Sequence, residues 1–534
     1  MRRWNGWGDE TIDAKLSSAA LGFLRARIGQ ASAPNDASRD AVFARIPPSR
    51  LPDHRLVNRE PEARLRASVG QSLEDWLRLR FGRVGAAVDG VAFPETEDDV
   101  REALGFAIAA GAVAIPVGGA TSVVGHLTPG DGNRPSLAIA MTRLRSLIKL
   151  DPESLFATFE AGVNGPDLEA QLRAHGFVFG HYPQSFEFST LGGWIATRSC
   201  GQQSARYGRI EALFAGGRIE TPTGALDLPA LPASAAGPDL REWALGSEGR
   251  IGIITRATVR VSRAPARERF VGYFLPGWED GRAATRELAQ ARIGLSMARL
   301  SNAAETEATL RLAGGGAAVA ALERYLAWRG CGEGKVLLLV GYTGSGAEVD
   351  AQRTRAMAVL RRRGAVSTGV LIGAKWRESR FKSAYLRNAL WTAGYAVDTM
   401  ETAANWTRVD TMTRAIEAAG RAALERFGEQ CHAQTHLSQV YPQGSSVYST
   451  FVFRVAPDFE TSLERWRTLK SAVSEAIVRE GGTITHQHGV GKDHAAYLAA
   501  EKGEMGVRAL RAMVDHFDPA GALDSGNLLP KDPR

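Results

Sequence analysis

Three clusters rich in glycine and hydroxyl side chains in the first half of the chain have the composition of anion-binding loops. They are residues 116–122 (PVGGATS), 183–193 (PQSFEFSTLGG) and 246–255 (GSEGRIGIIT). Small residues let backbone N–H groups converge on an anion, as a phosphate-cradling loop requires. Each cluster alone is more typical of a turn, but the three together indicate a binding site.

Two histidines near the end of the chain could move protons or contact a phosphate. His486 and His488 stand two positions apart within residues 485–492 (THQHGVGK), so on a strand they would share a face. Metal ligation is the weaker interpretation, because no acidic or cysteine ligand pattern accompanies them. We therefore expect no metal site.

Several other chemistries lack their motifs. No G-x-G-x-x-G follows a strand, which argues against a Rossmann dinucleotide site. Gly491-Lys492 is followed by Asp493 instead of Ser or Thr, so there is no P-loop. Neither a G-x-S-x-G nucleophile elbow nor an H-E-x-x-H zinc helix occurs.

The elements that must position these residues form an α+β pattern. A helix is expected to begin after Thr96, whose hydroxyl and following acids fit an N-terminal cap. A β-branched run then leads directly into the first loop. The predicted strands are 88–93, 113–117, 136–140, 156–159, 255–261, 270–275, 335–342 and 447–453, and helices are predicted at 165–175 and 506–517.

The length of the chain and the distribution of its charge indicate how many substructures it has and which partners it lacks. The chain has 534 residues, more than a single core of about 250–300 residues usually holds, so we expect at least two substructures. The net charge of +7 comes from 65 Lys and Arg, of which only 9 are Lys, spread along the chain. Such a diffuse excess predicts no nucleic-acid partner. Three scattered cysteines and no apolar run of about 20 residues favour a soluble cytoplasmic protein.

The three loops, in this order and spacing, resemble the FAD-binding domain of the vanillyl-alcohol oxidase / p-cresol methylhydroxylase superfamily. Within it, the chain is most similar to the alkyldihydroxyacetonephosphate synthase (alkylglycerone-phosphate synthase) family. The resemblance rests on residues 4–8 (WNGWG), 180–194 (GHYPQSFEFSTLGGW), 485–492, 518–519 and 527–529. It therefore extends over nearly the whole chain.

The resemblance implies an α+β fold with a two-part FAD-binding domain of the vanillyl-alcohol oxidase / p-cresol methylhydroxylase type and an α+β cap domain that covers the flavin ring. We expect an N-terminal helical arm over 1–84 and the FAD-binding domain over 85–265. The cap or substrate domain is expected over 266–480. A C-terminal segment over 481–534 is expected to return the histidine motif to the FAD-binding domain.

The resemblance also assigns residues to the cofactor. FAD is expected to be non-covalent, because Ala120 stands where members with covalent flavin often carry histidine; His126 is the residue that could form such a bond instead. Glu248 is expected on the adenine and ribose side. The residues expected to bind FAD are Pro116, Val117, Gly118, Gly119, Ala120, Thr121, Ser122, His181, Gln184, Ser185, Ser189, Thr190, Thr197, Arg198, Glu248, Gly252, Ile253 and Ile254.

The family exchanges the acyl chain of acyl-dihydroxyacetone phosphate for a fatty alcohol, which forms an ether lipid precursor without net redox change. By resemblance, the catalytic residues are Tyr448, His486 and His488, and the substrate-binding residues are Arg299, Arg387 and Lys492. Arginine suits a phosphate because its charged fork is bidentate. Without the resemblance, Tyr448 would be interpreted as a core aromatic and the two arginines as surface charges.

The sequence departs from the family at several positions. Gln487 interrupts the family's three consecutive histidines and cannot act as an acid or base, Gln184 replaces an aspartate, and a basic pair is missing from residues 199–204. An FAD-dependent oxidase or dehydrogenase of a 2-hydroxy acid, of the D-lactate or glycolate type, is therefore a second hypothesis. Tyr448 and the N-terminal WNGWG favour the synthase. A flavoprotein without catalysis is a third hypothesis.

The expected partners follow from the synthase reaction. They are a lipid-like phosphate substrate and a fatty alcohol, with peripheral membrane contact and, as is typical of the family, a homodimer. The chain ends without a Ser-Lys-Leu-type tag and lacks the long targeting extension of the animal synthases, which favours a cytoplasmic location.

Overall fold

The computed structural model describes residues 2–130, 133–312 and 316–530. The last four residues, where the sequence has no Ser-Lys-Leu-type tag, lie outside them. The chain divides into two compact units. The first, called the sheet unit here, comprises Met1–Pro34, Gln202–Tyr207 and Pro265–His486. The second, called the cavity unit, comprises Asn35–Gly201, Gly208–Ala264 and Gln487–Arg534. Residues 1–84, expected as one arm, are thus divided between the two units.

The strands are short in the cavity unit and longer in the sheet unit. In chain order they are β1 (Val57–Asn58), β2 (Gly90–Ala92), β3 (Val113–Val117), β4 (Ser136–Ala140), β5 (Leu147–Asp151), β6 (Phe156–Glu160), β7 (Phe177–Val178), β8 (Phe214–Thr221), β9 (Gly224–Leu228), β10 (Ile253–Arg260), β11 (Ser262–Arg263), β12 (Arg267–Leu275), β13 (Met297–Ser301), β14 (Val336–Gly344), β15 (Val366–Ser367), β16 (Tyr395–Asn405), β17 (His432–Leu437) and β18 (Gly444–Arg454).

None of the helices among the described residues is long and apolar enough to cross a membrane. They are α1 (Ser18–Ile28), α2 (Arg39–Phe43), α3 (Pro61–Ser68), α4 (Leu73–Arg80), α5 (Glu97–Ala109), α6 (Gly165–Arg173), α7 (Leu191–Ala196), α8 (Ser204–Tyr207), α9 (Ile210–Leu213), α10 (Arg241–Ala244), α11 (Trp278–Gln290), α12 (Ala303–Leu312), α13 (Ala317–Trp328), α14 (Gly346–Arg362), α15 (Leu371–Ser379), α16 (Leu386–Thr392), α17 (Val409–Glu425), α18 (Phe459–Arg479) and α19 (Leu498–Phe517), the last broken at Gly503. Short 3-10 helices span Met141–Arg143, Lys382–Tyr385 and Ala495–Tyr497.

The cavity unit contains two sheets that present the predicted loops. In the four-stranded sheet, ordered β1-β2-β4-β3, strands β2 and β3 run parallel to β4, and the first loop leaves the end of β3. The five-stranded sheet, ordered β5-β6-β10-β8-β9, is antiparallel, and the third loop leads into β10. The second loop leads into α7, where the Thr190 hydroxyl accepts a hydrogen bond from the Gly193 amide.

The expected cap of the helix after the first strand is present. The Asp99 amide donates to the Thr96 hydroxyl over 3.1 Å, and the Thr96 amide donates to the Asp99 carboxylate over 3.2 Å. This reciprocal pair is a capping box, which satisfies two amide groups that a helix terminus leaves unpaired. It fixes the start of α5, and α5 packs against β3 and β4 behind the first loop.

The sheet unit is built on one seven-stranded antiparallel sheet, ordered β15-β12-β14-β13-β17-β18-β16. Strand β14 is buried along its whole length, which its uninterrupted apolar run Val336–Val340 predicts for a strand covered on both faces. Helix α17 packs on β17 and β18, and α18 packs on α17 and β16. The neighbouring strands β13, β17, β18 and β16 carry Arg299 and Tyr448, two residues for which the sequence predicts a function.

The N-terminal WNGWG motif of the sheet unit is anchored on the segment that carries Arg387. The Trp7 amide donates to the Asn388 side-chain oxygen over 3.1 Å, and the Asn388 side-chain amide donates to the Trp7 carbonyl over 2.9 Å. Gly8 lies against the Tyr385 ring, and its φ of 83° is in the left-handed region. A Cβ atom at Gly8 would lie 2.2 Å from that ring, so only glycine permits this approach.

Substitution of Gly8 by alanine should therefore destabilise the sheet unit. Overpacking and backbone strain together predict a loss of about 1–3 kcal/mol in the free energy of unfolding, measurable by urea denaturation.

The matched control is Gly22→Ala in helix α1, where a Cβ atom meets nothing within 4 Å. Its higher helix propensity should leave the protein unchanged or more stable by up to about 1 kcal/mol. Equal losses in the two variants would contradict the role assigned to Gly8.

Candidate active site

The three predicted loops line one cavity within the cavity unit, together with Gln487 and His488 of the C-terminal motif. The predicted cofactor residues on its wall are Pro116, Val117, Gly118, Gly119, Ala120, Thr121, Ser122, Ser185, Ser189, Thr190, Thr197, Glu248, Gly252, Ile253 and Ile254. Backbone, hydroxyl and small apolar groups dominate this wall, and the described residues that line it include no lysine or arginine.

The paired glycines of the first loop allow it to touch the second loop. A Cβ atom at Gly118 would lie 2.3 Å from the Thr190 hydroxyl oxygen. At Gly119 it would lie 1.7 Å from the Phe188 carbonyl oxygen, which is part of the backbone and cannot rotate away. The two glycines are therefore required for the close approach of the loops that shapes the cavity.

Two lining residues that are not glycine have left-handed backbones. Ala120 has a φ of 47° and Glu248 a φ of 53°. Such conformations are rare outside glycine and cost free energy, and they concentrate at functional sites. Their occurrence in the first and third loops supports a binding role for this wall.

The buried carboxylate of Glu248 joins the third loop to the C-terminal motif. It accepts hydrogen bonds from the backbone amides of Val490 and, over 2.9 Å, Gly491, and it lies 3.0 Å from Nε2 of His126. The Glu248 carbonyl also accepts from the Asn527 side chain over 3.0 Å. The Glu248 carboxylate thus holds three segments of the protein together, and the position of this cavity-lining residue beside the ribose stays a prediction.

His126 has partners for both ring nitrogens. Its Nδ1 lies 2.6 Å from the Ser122 hydroxyl, and its Nε2 faces Glu248. Burial disfavours the charged ring, but the carboxylates of Glu248 and Asp493 together outweigh this effect and raise the pKa of His126. His126 also lines the cavity, and non-covalent attachment of the flavin stays a prediction.

Three predicted cofactor residues, His181, Gln184 and Arg198, are not among the described residues that line the cavity. His181 is completely buried and lies 3.1 Å from the hydroxyl of Ser199, which does line it. Burial and the nearby Arg209 charge lower the pKa of His181 to about 3, so the ring is neutral. His181 therefore lies behind Ser199, which forms part of the cavity wall. The Arg198 guanidinium pairs with Glu242 over 2.8 Å.

The cavity fits FAD. A diphosphate is an anion that backbone amides in glycine-rich loops can hold without a lysine or arginine, and this wall has that composition. The left-handed backbones of Ala120 in the first loop and Glu248 in the third loop change the direction of the chain beside the glycines. The apolar side chains of Ile253 and Ile254 give flat rings a surface to pack against.

In the sheet unit, a row of polar side chains crosses four neighbouring strands. The register pairs Ser301 of β13 with His436 of β17, His436 with Tyr448 of β18, and Tyr448 with Glu401 of β16. Residues directly opposite each other in adjacent strands point to the same face of a sheet. The sequence places these four residues far apart, and the sheet brings them into one line.

Tyr448, the predicted catalytic residue, has a perturbed hydroxyl. Burial raises its pKa to about 12, and the carboxylates of Glu401 and Asp398 act in the same direction. A hydrogen bond with Thr399 and the charge of Arg387 act against them. Tyr448 is therefore protonated at neutral pH and close enough to Arg387 to sense its charge.

His486 is fixed beside this row. Its Nε2 lies 2.7 Å from the Tyr441 hydroxyl and its Nδ1 lies 3.8 Å from Glu401, while its backbone amide donates to the Glu401 carboxylate. Thr485 donates to the same carboxylate over 2.7 Å. Glu401 thus connects the predicted catalytic residues Tyr448 and His486 within the sheet unit.

The predicted substrate arginine Arg299 is engaged in an ion pair. Its Nη2 lies 2.7 Å from Glu305 and its Nη1 donates to the Ser301 hydroxyl over 2.8 Å. Arg299 is on the same face of the sheet as the polar row, two positions before Ser301. A role in substrate binding stays a prediction for Arg299, as it does for Arg387.

The histidine motif spans the division between the units. His486 belongs to the sheet unit, whereas Gln487 and His488 belong to the cavity unit. The Lys492 ammonium donates to the Thr128 and Pro129 carbonyls of the cavity unit, over 2.6 and 3.3 Å. These contacts give Lys492 a structural role, and its predicted role in substrate binding stays a prediction.

The sequence analysis missed Glu305, Glu401, His436 and Tyr441. The two acids Asp398 and Glu401 within the otherwise uncharged strand β16 are the one available signal, because charged side chains are rarely buried without a partner. The others are recognisable only from the strand register, which the sequence does not contain.

Comparisons with known proteins agree with this arrangement. The sequence model of the "FAD binding domain" family matches residues 88–227, and that of "FAD linked oxidases, C-terminal domain" matches residues 264–528. The alkyldihydroxyacetonephosphate synthase of Trypanosoma brucei brucei is 28% identical over 99% of this chain and 93% of its own length. That of Caenorhabditis elegans is 30% identical over 88% of this chain and 81% of its own length. The chain belongs to the alkyldihydroxyacetonephosphate synthase family.

Solved structures support the same membership. An alkyldihydroxyacetonephosphate synthase structure superposes with a TM-score of 0.83 at 25% identity and covers 99% of this chain and 98% of that one. The predicted fold class is confirmed, and FAD is the cofactor of this family member. The glycolate oxidase subunit of Bacillus subtilis is 24% identical over 84% of this chain, which leaves the 2-hydroxy-acid hypothesis with weaker support.

Substitution of Gly119 by alanine should abolish tight FAD binding, because the new Cβ atom would overlap the Phe188 carbonyl. We expect the dissociation constant for FAD to rise at least about tenfold, or about 1.4 kcal/mol, in a titration of the apoprotein. Gly105→Ala in helix α5, where a Cβ atom meets nothing within 4 Å, is the control. Undiminished affinity in the Gly119 variant would contradict the loop-contact interpretation.

The His126–Glu248 pair should make stability depend on pH. The pKa of His126 is raised in the folded state, so its contribution is fully present below the unfolded pKa and is lost as the pH rises through the folded pKa. His126→Gln should therefore destabilise the protein more near about pH 6, by about 1–3 kcal/mol, than near about pH 9. The exposed His175→Gln is the control, and a pH-independent loss at His126 would count against the ion pair.

Proposed function

We propose that this protein exchanges the acyl group of acyl-dihydroxyacetone phosphate for a fatty alcohol and so forms an ether lipid precursor. The observation that carries the proposal is the line Glu401–Tyr448–His436 on the sheet, in a chain that also has the flavin cavity. Oxidation of a 2-hydroxy acid also has to move a hydroxyl proton, and the synthase relatives, which match most of the chain, favour the exchange over that oxidation. A buried acid/base centre on a second unit suits a reaction that must also move protons.

Bound FAD supplies the nucleophilic and electron-accepting chemistry of the exchange, and the protein supplies binding, orientation and proton transfer. The first and second loops would hold the diphosphate through backbone amides and hydroxyls. Gln487 lines the cavity and cannot exchange a proton, so in this chain acid/base work falls to Tyr448, His486 and His488.

The net reaction needs a proton carrier at the reacting carbon. The bond between C1 and the acyl oxygen breaks, the fatty acid leaves with both carboxyl oxygens, and the alcohol oxygen forms the new bond to C1. The alcohol gives up its proton and the fatty acid leaves as a carboxylate, so the net exchange releases one proton at neutral pH. The Tyr448 hydroxyl, protonated at neutral pH and surrounded by Glu401, Arg387 and Thr399, is suited to hold and return a proton.

Arg387 is the proposed contact for the substrate phosphate. Its charge acts on Tyr448, so a phosphate bound to it would lie near the proton-transfer group. Arg299 would serve the same anion only if it released Glu305, which makes it the second choice. A homodimer, peripheral membrane contact for collecting lipid and a cytoplasmic location remain proposals that rest on the family and the substrate class.

The function is tested by product analysis. FAD-loaded protein mixed without oxygen with palmitoyl-dihydroxyacetone phosphate and hexadecanol should form the ether and free palmitate, and the flavin absorbance should not bleach. In a parallel experiment, the same protein is mixed with a panel of D-2-hydroxy acids and the flavin absorbance is followed. Bleaching by a hydroxy acid without ether formation would replace the proposal with the oxidase hypothesis.

Tyr448→Phe should lower kcat at least about 100-fold while FAD remains bound, because the variant keeps the ring and loses the proton carrier. The measurement is ether formation by mass spectrometry together with flavin content. Tyr325→Phe, on the half-exposed side of helix α13, removes a hydroxyl of the same kind and should leave kcat unchanged. Full activity in the Tyr448 variant would remove Tyr448 from the mechanism.

A further inference from the structure

His436 lies flat against the predicted catalytic tyrosine. The ring centroids of His436 and Tyr448 are 4.8 Å apart with an angle of 16° between the ring planes, which is a stacked arrangement. The two residues are directly paired in the register of β17 and β18. The imidazole therefore covers one face of the phenol and restricts rotation of its plane.

A buried carboxylate from another element holds the imidazole. Glu305, in the first turn of helix α12, lies 3.0 Å from Nδ1 of His436, and Nη2 of Arg299, which pairs with Glu305, lies 3.0 Å from the same nitrogen. The Glu305 side chain is 9% exposed, and its backbone amide donates to the Asn302 side chain over 2.9 Å. The position of the carboxylate is thus fixed by the start of the helix.

An ionised carboxylate buried beside a neutral imidazole costs free energy that a purely apolar contact would not. Burial works against ionisation of Glu305, but Arg299, His436 and Ser301 together outweigh it and hold the pKa of Glu305 well below its usual range. Burial and the Arg299 charge lower the pKa of His436, so its ring is neutral at physiological pH. Packing alone would be served as well by a phenylalanine without a buried carboxylate beside it.

We propose that Glu305 and His436 are positioning residues for Tyr448. Glu305 holds the imidazole through Nδ1, and the imidazole fixes the plane of the phenol and keeps water from one of its faces. The Tyr448 hydroxyl is thereby aimed in one direction. This inference rests on the proposed function of Tyr448 as the proton carrier.

The remaining groups around Tyr448 do not perform this task. Glu401 and Asp398 act on its hydroxyl by charge, Arg387 acts in the opposite sense, and Thr399 binds the hydroxyl itself. Each of them affects the proton, whereas His436 contacts the ring. Loss of His436 should therefore change the orientation and hydration of Tyr448 without removing its hydrogen-bond partner.

The test compares His436→Ala, His436→Phe and Glu305→Gln in the FAD-loaded full-length protein. His436→Ala should lower kcat about 10–100-fold, with KM for the acyl substrate and the FAD content little changed. His436→Phe retains a flat ring but loses the Nδ1 contact with Glu305, so it should recover only part of the activity lost in His436→Ala. Glu305→Gln keeps the shape and loses the charge, and should lie between the two. His432→Phe, four residues earlier on the same strand, is the control and should leave kcat unchanged.

Three outcomes would overturn the proposal. They are an unchanged kcat in His436→Ala, an equal loss in His436→Phe and His436→Ala, and a loss expressed wholly as a raised KM. If His436→Ala does not fold, the comparison of His436→Phe with Glu305→Gln decides, since Phe must be the more active of the two.

A second readout separates this inference from the proposed function. Ionisation of Tyr448 alone can be followed by subtracting the ultraviolet absorbance of the Tyr448→Phe variant from that of the same protein with Tyr448. This measurement does not require the protein to be active. Tyr448 should titrate about one pH unit lower in the His436→Ala background than in the wild type, because water then reaches the ring. If the wild type forms no ether but this shift occurs, the positioning role stands and the proposed reaction fails. An unshifted titration would refute the positioning role.

Discussion

The cavity of this protein depends on one buried carboxylate. Glu248 has a left-handed backbone, and its side chain binds His126 together with the amides of Val490 and Gly491. An ionised carboxylate away from water is stable only when such donors surround it. The first loop, the third loop and the C-terminal motif are therefore linked through a single group, and the glycine contact with the second loop completes the wall.

In the sheet unit, too, the predicted functional side chains are held in place by buried partners. Tyr448 and His436 lie on adjacent strands, so the register of the sheet sets their spacing, whereas His486 lies outside the strands, after helix α18. Each of the three contacts a partner: Tyr448 the His436 ring, His436 the Glu305 carboxylate, and His486 the Glu401 carboxylate. Side chains on rigid strands with fixed neighbours need little reorganisation during a reaction. This preorganisation is the physical link between the fold and the proposed chemistry.

Local features could be predicted from the sequence, and non-local pairings could not. The strands Val113–Val117 and Ser136–Ala140, the Thr96 cap and the loop order follow from neighbouring residues. The line through His436 and Tyr448 depends on strand register over long sequence separations. His181 illustrates the same limit: resemblance placed it at the cofactor, whereas the structure places it one residue behind the wall, against Ser199.

The most direct test of the account follows the oxygen atoms. FAD-loaded protein would be given palmitoyl-dihydroxyacetone phosphate and a fatty alcohol labelled with heavy oxygen in its hydroxyl group, and the products would be analysed by mass spectrometry. The account predicts an ether that retains the label and an unlabelled fatty acid, since the alcohol oxygen forms the new bond to C1. An unlabelled ether, or a labelled ester in place of the ether, would contradict it.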